Sequence, residues 1–219
     1  MEAGRLKDEI TTIYASPYKT ALSEDKGPRK AQTLEQLAKL KPFFDRENGT
    51  VTVGNACPIT DGAAFVVLMS ETRAKELGFT PLGFVKSYAF AGLEPERMGL
   101  GPVFSTYKVL KNLGLKLKDI QLIELNEAFA AQVIACLKAF GSKEFAKKRF
   151  NESEAIGEVN RDILNVNGGA IALGHPLGSS GTRLALTTLL EMKRRSAKLG
   201  LATLCIGGGQ GGSLILESN

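Results

Sequence analysis

Tryptophan is absent from this 219-residue sequence, histidine occurs once, and the three cysteines, Cys57, Cys136 and Cys205, stand far apart. A single imidazole leaves His175 as the one candidate for any chemistry that needs it. Scattered thiols supply neither a disulfide framework nor a CxxC metal site, so no metal is expected. The expected setting is the reducing cytoplasm, an organelle not being excluded. Long apolar runs are lacking too: no segment approaches membrane-spanning length, and MEAGRLKDEITTIY has no continuous apolar core of the kind a secretory signal carries. No repeat of solenoid period is visible. Lys and Arg outnumber Asp and Glu by 28 to 23. That excess suits an anionic small partner such as a nucleotide or CoA, and a solvated basic face explains it as readily; no nucleic-acid partner is expected.

Glycine, by contrast, is plentiful at 24 residues, which points to tight turns and close backbone approaches. Residues 1–57 hold few long apolar runs and read as an irregular, partly helical appendage. Beyond them strands and helices alternate. Ala63–Met69 is a buried-strand candidate, and Ser70 can cap a helix running to Gly78. Residues 82–91 read as a strand, 104–113 as a helix ended by Gly114, Gln121–Leu125 as a strand and Ala128–Phe140 as a helix. The charged stretch 142–162 is expected to be a solvated surface excursion with a short helix. A helix follows His175-Pro176 and ends in Lys193-Arg194-Arg195, which complements its dipole. Residues 201–204 and 213–216 are two further strands. The order βαβαβαββ argues for an α/β layered domain with helices covering a mixed sheet.

Three junctions place polar groups where strands meet loops. In Asn126-Glu127-Ala128-Phe129-Ala130, the asparagine can cap the following helix or hold a water or ligand. In Gly168-Gly169-Ala170-Ile171-Ala172-Leu173-Gly174-His175-Pro176, short stiff backbone presents His175, as preorganised hydrogen bonding to an oxyanion requires. In Cys205-Ile206-Gly207-Gly208-Gly209-Gln210-Gly211-Gly212, a thiol precedes glycines that either form a hairpin or expose N–H groups to a substrate.

Together, in this order, these strings resemble the NEAF, GGAIALGHP and CxGGGxG boxes of the thiolase family. The resemblance extends through GRLKDEI, TLEQLAKLKPFF, GTVTVGNACPITDGAA, the LGP at 100–102 and LATLCIGGG, and so over essentially the whole chain. Ketoacyl synthases share the fold but ordinarily carry histidine or asparagine where Cys205 stands. The resemblance implies that His175 activates a nucleophile and donates to a thioester oxygen, and that Asn126 holds a water in that oxyanion hole. It implies that Cys205 moves the α-proton and that Gly207 lends its N–H to a second oxyanion hole. It places Arg29 near the nucleotide of CoA and has Ala128 and Phe129 line the pantetheine channel. Cys57 stands where many relatives have a pantetheine-contacting serine, and a thiol is the weaker partner.

The expected domains are 1–57, part of a CoA-binding loop domain, and 58–219, a thiolase C-terminal domain. The family acylates a cysteine of its N-terminal half, and neither Cys57 nor Cys136 has the matching context. The leading expectation is therefore an acyltransferase half, inactive alone, that acts on acyl-CoA and CoA beside a complementary N-terminal half or within a homo-oligomer. The reaction is thiolysis of 3-oxoacyl-CoA or condensation of acetyl-CoA, and the charged 142–162 stretch favours the former, in fatty-acid β-oxidation. No covalently bound cofactor is expected. A non-catalytic acyl-CoA-binding module and an inactive fragment are the alternatives.

Overall fold

A computed structural model describes residues 3–14, 16–17 and 19–219. Four strands, β1 (Gly83–Gly92), β2 (Leu122–Leu125), β3 (Leu199–Ile206) and β4 (Gln210–Ser218), form one sheet in the order β1-β4-β3-β2. β4 runs antiparallel to both β1 and β3, whereas β2 and β3 are parallel. The helices are α1 (Leu34–Ala38), α2 (Glu71–Glu76), α3 (Gly101–Leu113), α4 (Ala130–Phe140), α5 (Lys143–Phe150), α6 (Ala170–Leu173) and α7 (Leu177–Arg195). Among the described residues no helix is long and apolar enough to cross a membrane.

The alternation of side chains along each strand divides the core between two faces. Ile123, Leu125, Leu201 and Ile215 pack with Val103 and Val109 of α3 and Phe140 of α4. Leu122 and Leu216, one residue out of phase, pack with Met192 of α7. The mixed sheet thus lies between α3 and α4 on one side and α7 on the other, the layered α/β architecture expected from the sequence. Local signals set the helix ends as read: the Ser70 hydroxyl accepts from Arg73 N, and Gly114 closes α3 at φ 64. Gly is favoured there because a side chain is strained in that conformation.

Two expectations are corrected. Ala63–Met69 is not among the four strands, and Phe65, Val67 and Leu68 are 87, 83 and 77 % exposed. Its apolar pattern suits a strand, but a strand exists only by pairing, and no described residues pair with it as one. The 142–162 stretch is not simply a solvated face. Ala146 of α5 is buried, and Phe145 and Phe150 join Phe104 and Tyr107 in an aromatic cluster, Tyr107 and Phe150 stacking at 4.1 Å. Ile156 and Val159 also lean on the core, so helical spacing leaves only Lys147 and Lys148 facing solvent within the basic run.

The glycines after Cys205 make the β3–β4 hairpin, with φ 84 at Gly208 and 89 at Gly209. They also permit close packing on the start of α3, since a Cβ on Gly211 would lie 2.0 Å from Gly101 O. A Cβ on Gly207 would meet open space. Gly211→Ala is therefore expected to destabilise by about 1–3 kcal/mol or more, as overpacking does. Gly207→Ala should change a urea midpoint little, and equal losses for the two would refute the packing argument.

Candidate active site

β2 ends at Leu125, whose parallel partner is Thr203, and Asn126 N–H donates to Thr203 O at 2.9 Å. That bond holds Asn126 beside β3, two residues short of Cys205. Asn126 does not cap the next helix. α4 begins only at Ala130, its cap position is Phe129, and no side chain caps it. The Asn126 amide instead meets His175, with Nδ2 3.3 Å from Nε2, while its Oδ1 is buried without a hydrogen-bond partner.

His175 is oriented from its own helix. Ser180 Oγ lies 2.6 Å from His175 Nδ1 and 3.1 Å from Pro176 O, a carbonyl that the Ser179 and Ser180 N–H groups also reach, so the hydroxyl fixes the plane of the ring. In the tautomer with its proton on Nδ1, Ser180 Oγ accepts from the ring and Nε2 accepts from the Asn126 amide. Burial, with Arg183 adding like charge, pushes the imidazole below its ordinary value. A neutral ring with a bare Nε2 is the form a general base requires.

Cys205 is buried at the end of β3, and burial raises its thiol above the ordinary value, nearby Cys57 adding to the rise and a backbone hydrogen bond opposing it. It is thus a protonated acid at neutral pH. No hydrogen bond joins Cys205 to Asn126 or His175 among the described residues. Gly207 is exposed at the hairpin beside it.

The pantetheine-channel candidates come together. Cys57 N–H donates to Ala128 O at 3.0 Å, Ala56 bridges Phe129, and Ala130 N–H donates to Asn55 O at 2.9 Å. Burial raises the half-buried Cys57 thiol. Arg29 lies apart from these groups, exposed on a groove of about 1390 Å³ that Lys7, Lys26, Glu24, Asp25 and Leu173 also line. The segment after Cys57 crosses the histidine loop: a Cβ on Gly174 would lie 2.3 Å from Thr60 Oγ1, and one on Gly62 would lie 2.6 Å from Pro176 Cγ. Cys136, on α4, is buried in the core between the sheet and α3, donates to Gly99 O and is pushed up to about 12, chiefly by burial.

Several polar residues here went unassigned in the sequence reading. Ser180 orients the imidazole, and Glu127 and Asn165 tie the loops together. Glu124 is buried and Arg183 half-buried, with the enclosed Arg183 nitrogens and both Glu124 oxygens lacking hydrogen-bond partners. The helical phase of Ser180 and Arg183 signals which face of α7 they occupy, and the left-handed preference of asparagine signals a turn at Asn165.

An asparagine at the end of β2 paired with an imidazole of the α6–α7 loop, together with a protonated thiol at the end of β3, is equipment for proton transfer at a polarised carbonyl; the histidine junction, expected where a strand meets a loop, instead joins two helices. Family models described as thiolase N-terminal and C-terminal domains match residues 1–72 and 79–218. The sequence is 51% identical to a 3-ketoacyl-CoA thiolase of Serratia proteamaculans over 99% of this chain and 50% of that protein. Among solved structures, acetyl-CoA acetyltransferase of Bacillus anthracis superposes with a TM-score of 0.85 at 40% identity, covering 100% of this chain and 51% of that one. Human mitochondrial 3-ketoacyl-CoA thiolase in complex with CoA superposes at 0.82 with 39% identity, covering 100% and 50%. The chain belongs to the thiolase family, and it spans about half the length of the curated relatives it matches.

Proposed function

We propose that this chain supplies the acid–base and oxyanion half of a thiolase site, acting on 3-oxoacyl-CoA thioesters, with the acyl-carrying cysteine coming from outside residues 1–219. The 3.3 Å approach of Asn126 Nδ2 to His175 Nε2 carries this reading, which takes the neutral ring with its proton on Nδ1 as the resting form. In thiolysis that nucleophile, deprotonated by His175, attacks the 3-keto carbon. The C2–C3 bond then breaks, its electron pair forms the enolate of acetyl-CoA, and Cys205 protonates C2. The Gly207 N–H and the Asn126–His175 pair stabilise the two oxyanions, the orphaned Asn126 Oδ1 holding the water of the second. Cys205, left as thiolate, takes the proton of the incoming CoA thiol, the CoA sulfur attacks the acyl carbon, and the released cysteine thiolate recovers its proton from His175. Condensation of two acetyl-CoA molecules is the same sequence reversed; the 3-ketoacyl-CoA thiolase relatives favour cleavage in fatty-acid oxidation.

Neither remaining thiol here suits the nucleophile's task. Cys136 is enclosed and held protonated, and Cys57 is half-buried in the segment pairing with Ala128 and Phe129. The exposed apolar run Phe65–Leu68, together with Tyr88 and Phe90 on the edge strand β1, is surface suited to a complementary half or a second copy. On this reading residues 1–57 belong to the CoA-binding loop domain and 58–219 to the C-terminal domain, and the free thiols suit the cytoplasm.

Arg29, among the lysines of its groove, meets the CoA phosphates, while Cys57, Ala128 and Phe129 line the pantetheine arm. Calorimetry tests this on the chain completed by its nucleophile-bearing half. Arg29→Ala is expected to weaken CoA binding by about three- to tenfold, the worth of one exposed charge-assisted contact, with the loss shrinking at high salt. Unchanged affinity would remove Arg29 from the site. Acyl-CoA binding without turnover in the completed protein would favour a non-catalytic module.

A further inference from the structure

Asn165 occupies the left-handed region at φ 46, which costs energy for a residue other than glycine. Its side chain explains why that conformation persists. Oδ1 accepts from Leu125 N at 2.8 Å while Nδ2 donates to Leu125 O at 2.9 Å, so the amide imitates a neighbouring strand at the end of β2. The backbone continues the imitation, since Asn165 N–H donates to Ile123 O at 2.8 Å and Leu164 bridges Ile123. Asn165 Nδ2 also donates to Glu127 Oε1 at 3.0 Å.

The other Glu127 oxygen faces the next loop. Oε2 accepts from Ile171 N at 3.3 Å in the first turn of α6. Gly169 leaves room for this, because a Cβ there would lie 2.1 Å from the carboxylate carbon. Glu127 is covalently next to Asn126, and α6 ends one residue before Gly174-His175. The carboxylate therefore joins the backbone that presents the amide to the backbone that presents the imidazole.

We infer that Glu127 and Asn165 are positioning residues that set the separation and angle of the Asn126–His175 pair, an inference that rests on the thiolase reading of that pair. The device needs an acceptor on both sides of Glu127, because Asn165 Nδ2 and Ile171 N are both donors. Glutamine offers one acceptor oxygen and turns a donor N–H toward one of them. Glu127→Asp keeps both acceptors and shortens the reach by one methylene.

The test uses the complete protein with its nucleophile-bearing half. It follows cleavage of acetoacetyl-CoA by CoA and, separately, the ring-nitrogen NMR signals of His175, identified by their loss in His175→Asn. Glu127→Gln is expected to lower kcat by about ten- to a hundredfold with KM within about threefold, as a misplaced catalytic group does, and to displace the His175 signals from those of a single neutral tautomer. Combining it with Asn165→Asp restores a donor–acceptor match between the two side chains, so the double variant should lose less than the product of the single losses. Should Glu127→Gln fail to fold, Glu127→Asp decides, with an expected kcat loss of about three- to tenfold at unchanged KM. Wild-type kcat together with wild-type His175 signals in a folded Glu127 variant would overturn the inference. If the unaltered protein cleaves nothing, the thiolase reading is what fails, and the His175 signals, which need no turnover, still decide the clamp.

Discussion

In the completed protein, His175→Ala is expected to lower kcat for acetoacetyl-CoA cleavage by about 10²–10⁴, the range for loss of a general base. Residues 1–219 hold no second histidine to take its place. Nδ1 is held by Ser180 at 2.6 Å, and Nε2 is the nitrogen that faces Asn126. Burial first, and Arg183 second, depress the imidazole. On the proposed mechanism the active form is the neutral ring, so the rate should stay flat through neutral pH and fall only on the acid side of histidine's ordinary 6.5 or so. Arg183→Met removes the cation that disfavours imidazolium, and the acid limb should move toward higher pH. A pH–rate profile on wild type and Arg183→Met checks both statements; an acid limb that stays fixed would detach Arg183 from the imidazole.

Glu124→Gln should stabilise the fold increasingly between pH 5 and 8.5, by up to about 4–5 kcal/mol. Glu124 lies on β2 two residues before Asn126, is 0% exposed, and has no hydrogen bond to either oxygen. Burial pushes its carboxyl up to about 8, Arg183 opposing the rise and Glu9, Glu127 and Glu191 adding to it. Between the unfolded value near 4.3 and the folded value near 8, the folded state keeps a proton that the unfolded chain has released. The stabilisation tied to that proton is complete below the unfolded value and is lost as pH rises through the folded one. Glutamine cannot ionise and escapes the loss. Urea denaturation of both proteins at pH 5, 7 and 8.5 should give diverging stabilities. Parallel curves would show that Glu124 is ionised and paired in solution. Glu191 does not blur the comparison: burial raises its carboxyl, but Asn167, Arg195 and Arg194 outweigh that and hold it down to about 2, so it titrates outside this window.

What was legible in the sequence was mainly what neighbours in the chain decide. Gly114 ends α3 and Ser70 caps α2 because those effects span only a few residues. The runs read as strands at 82–91, 201–204 and 213–216 fall on β1, β3 and β4, since a short run rich in apolar residues and bounded by glycine is itself a strand signal. Ala63–Met69 shows the limit, since its pattern is that of a strand while its pairing depends on residues outside the segment. The 142–162 stretch misled because its charges are conspicuous, whereas Phe145 and Phe150 count only once Phe104 and Tyr107 are opposite them. At the site, the three boxes marked Asn126, His175 and Cys205, yet not that Asn126 leaves α4 uncapped in order to meet His175. Glu127 and Asn165 reach partners 38 to 44 positions away in sequence, a distance at which composition and periodicity carry no signal.

The most direct test of the division of labour is acetoacetyl-CoA cleavage measured on residues 1–219 alone and on the same residues joined by the nucleophile-bearing half. Turnover is expected only in the combination, and it should vanish with His175→Ala or Cys205→Ala. Cleavage by residues 1–219 alone, abolished by the same two changes, would contradict the account and place the acyl-carrying thiol within this chain.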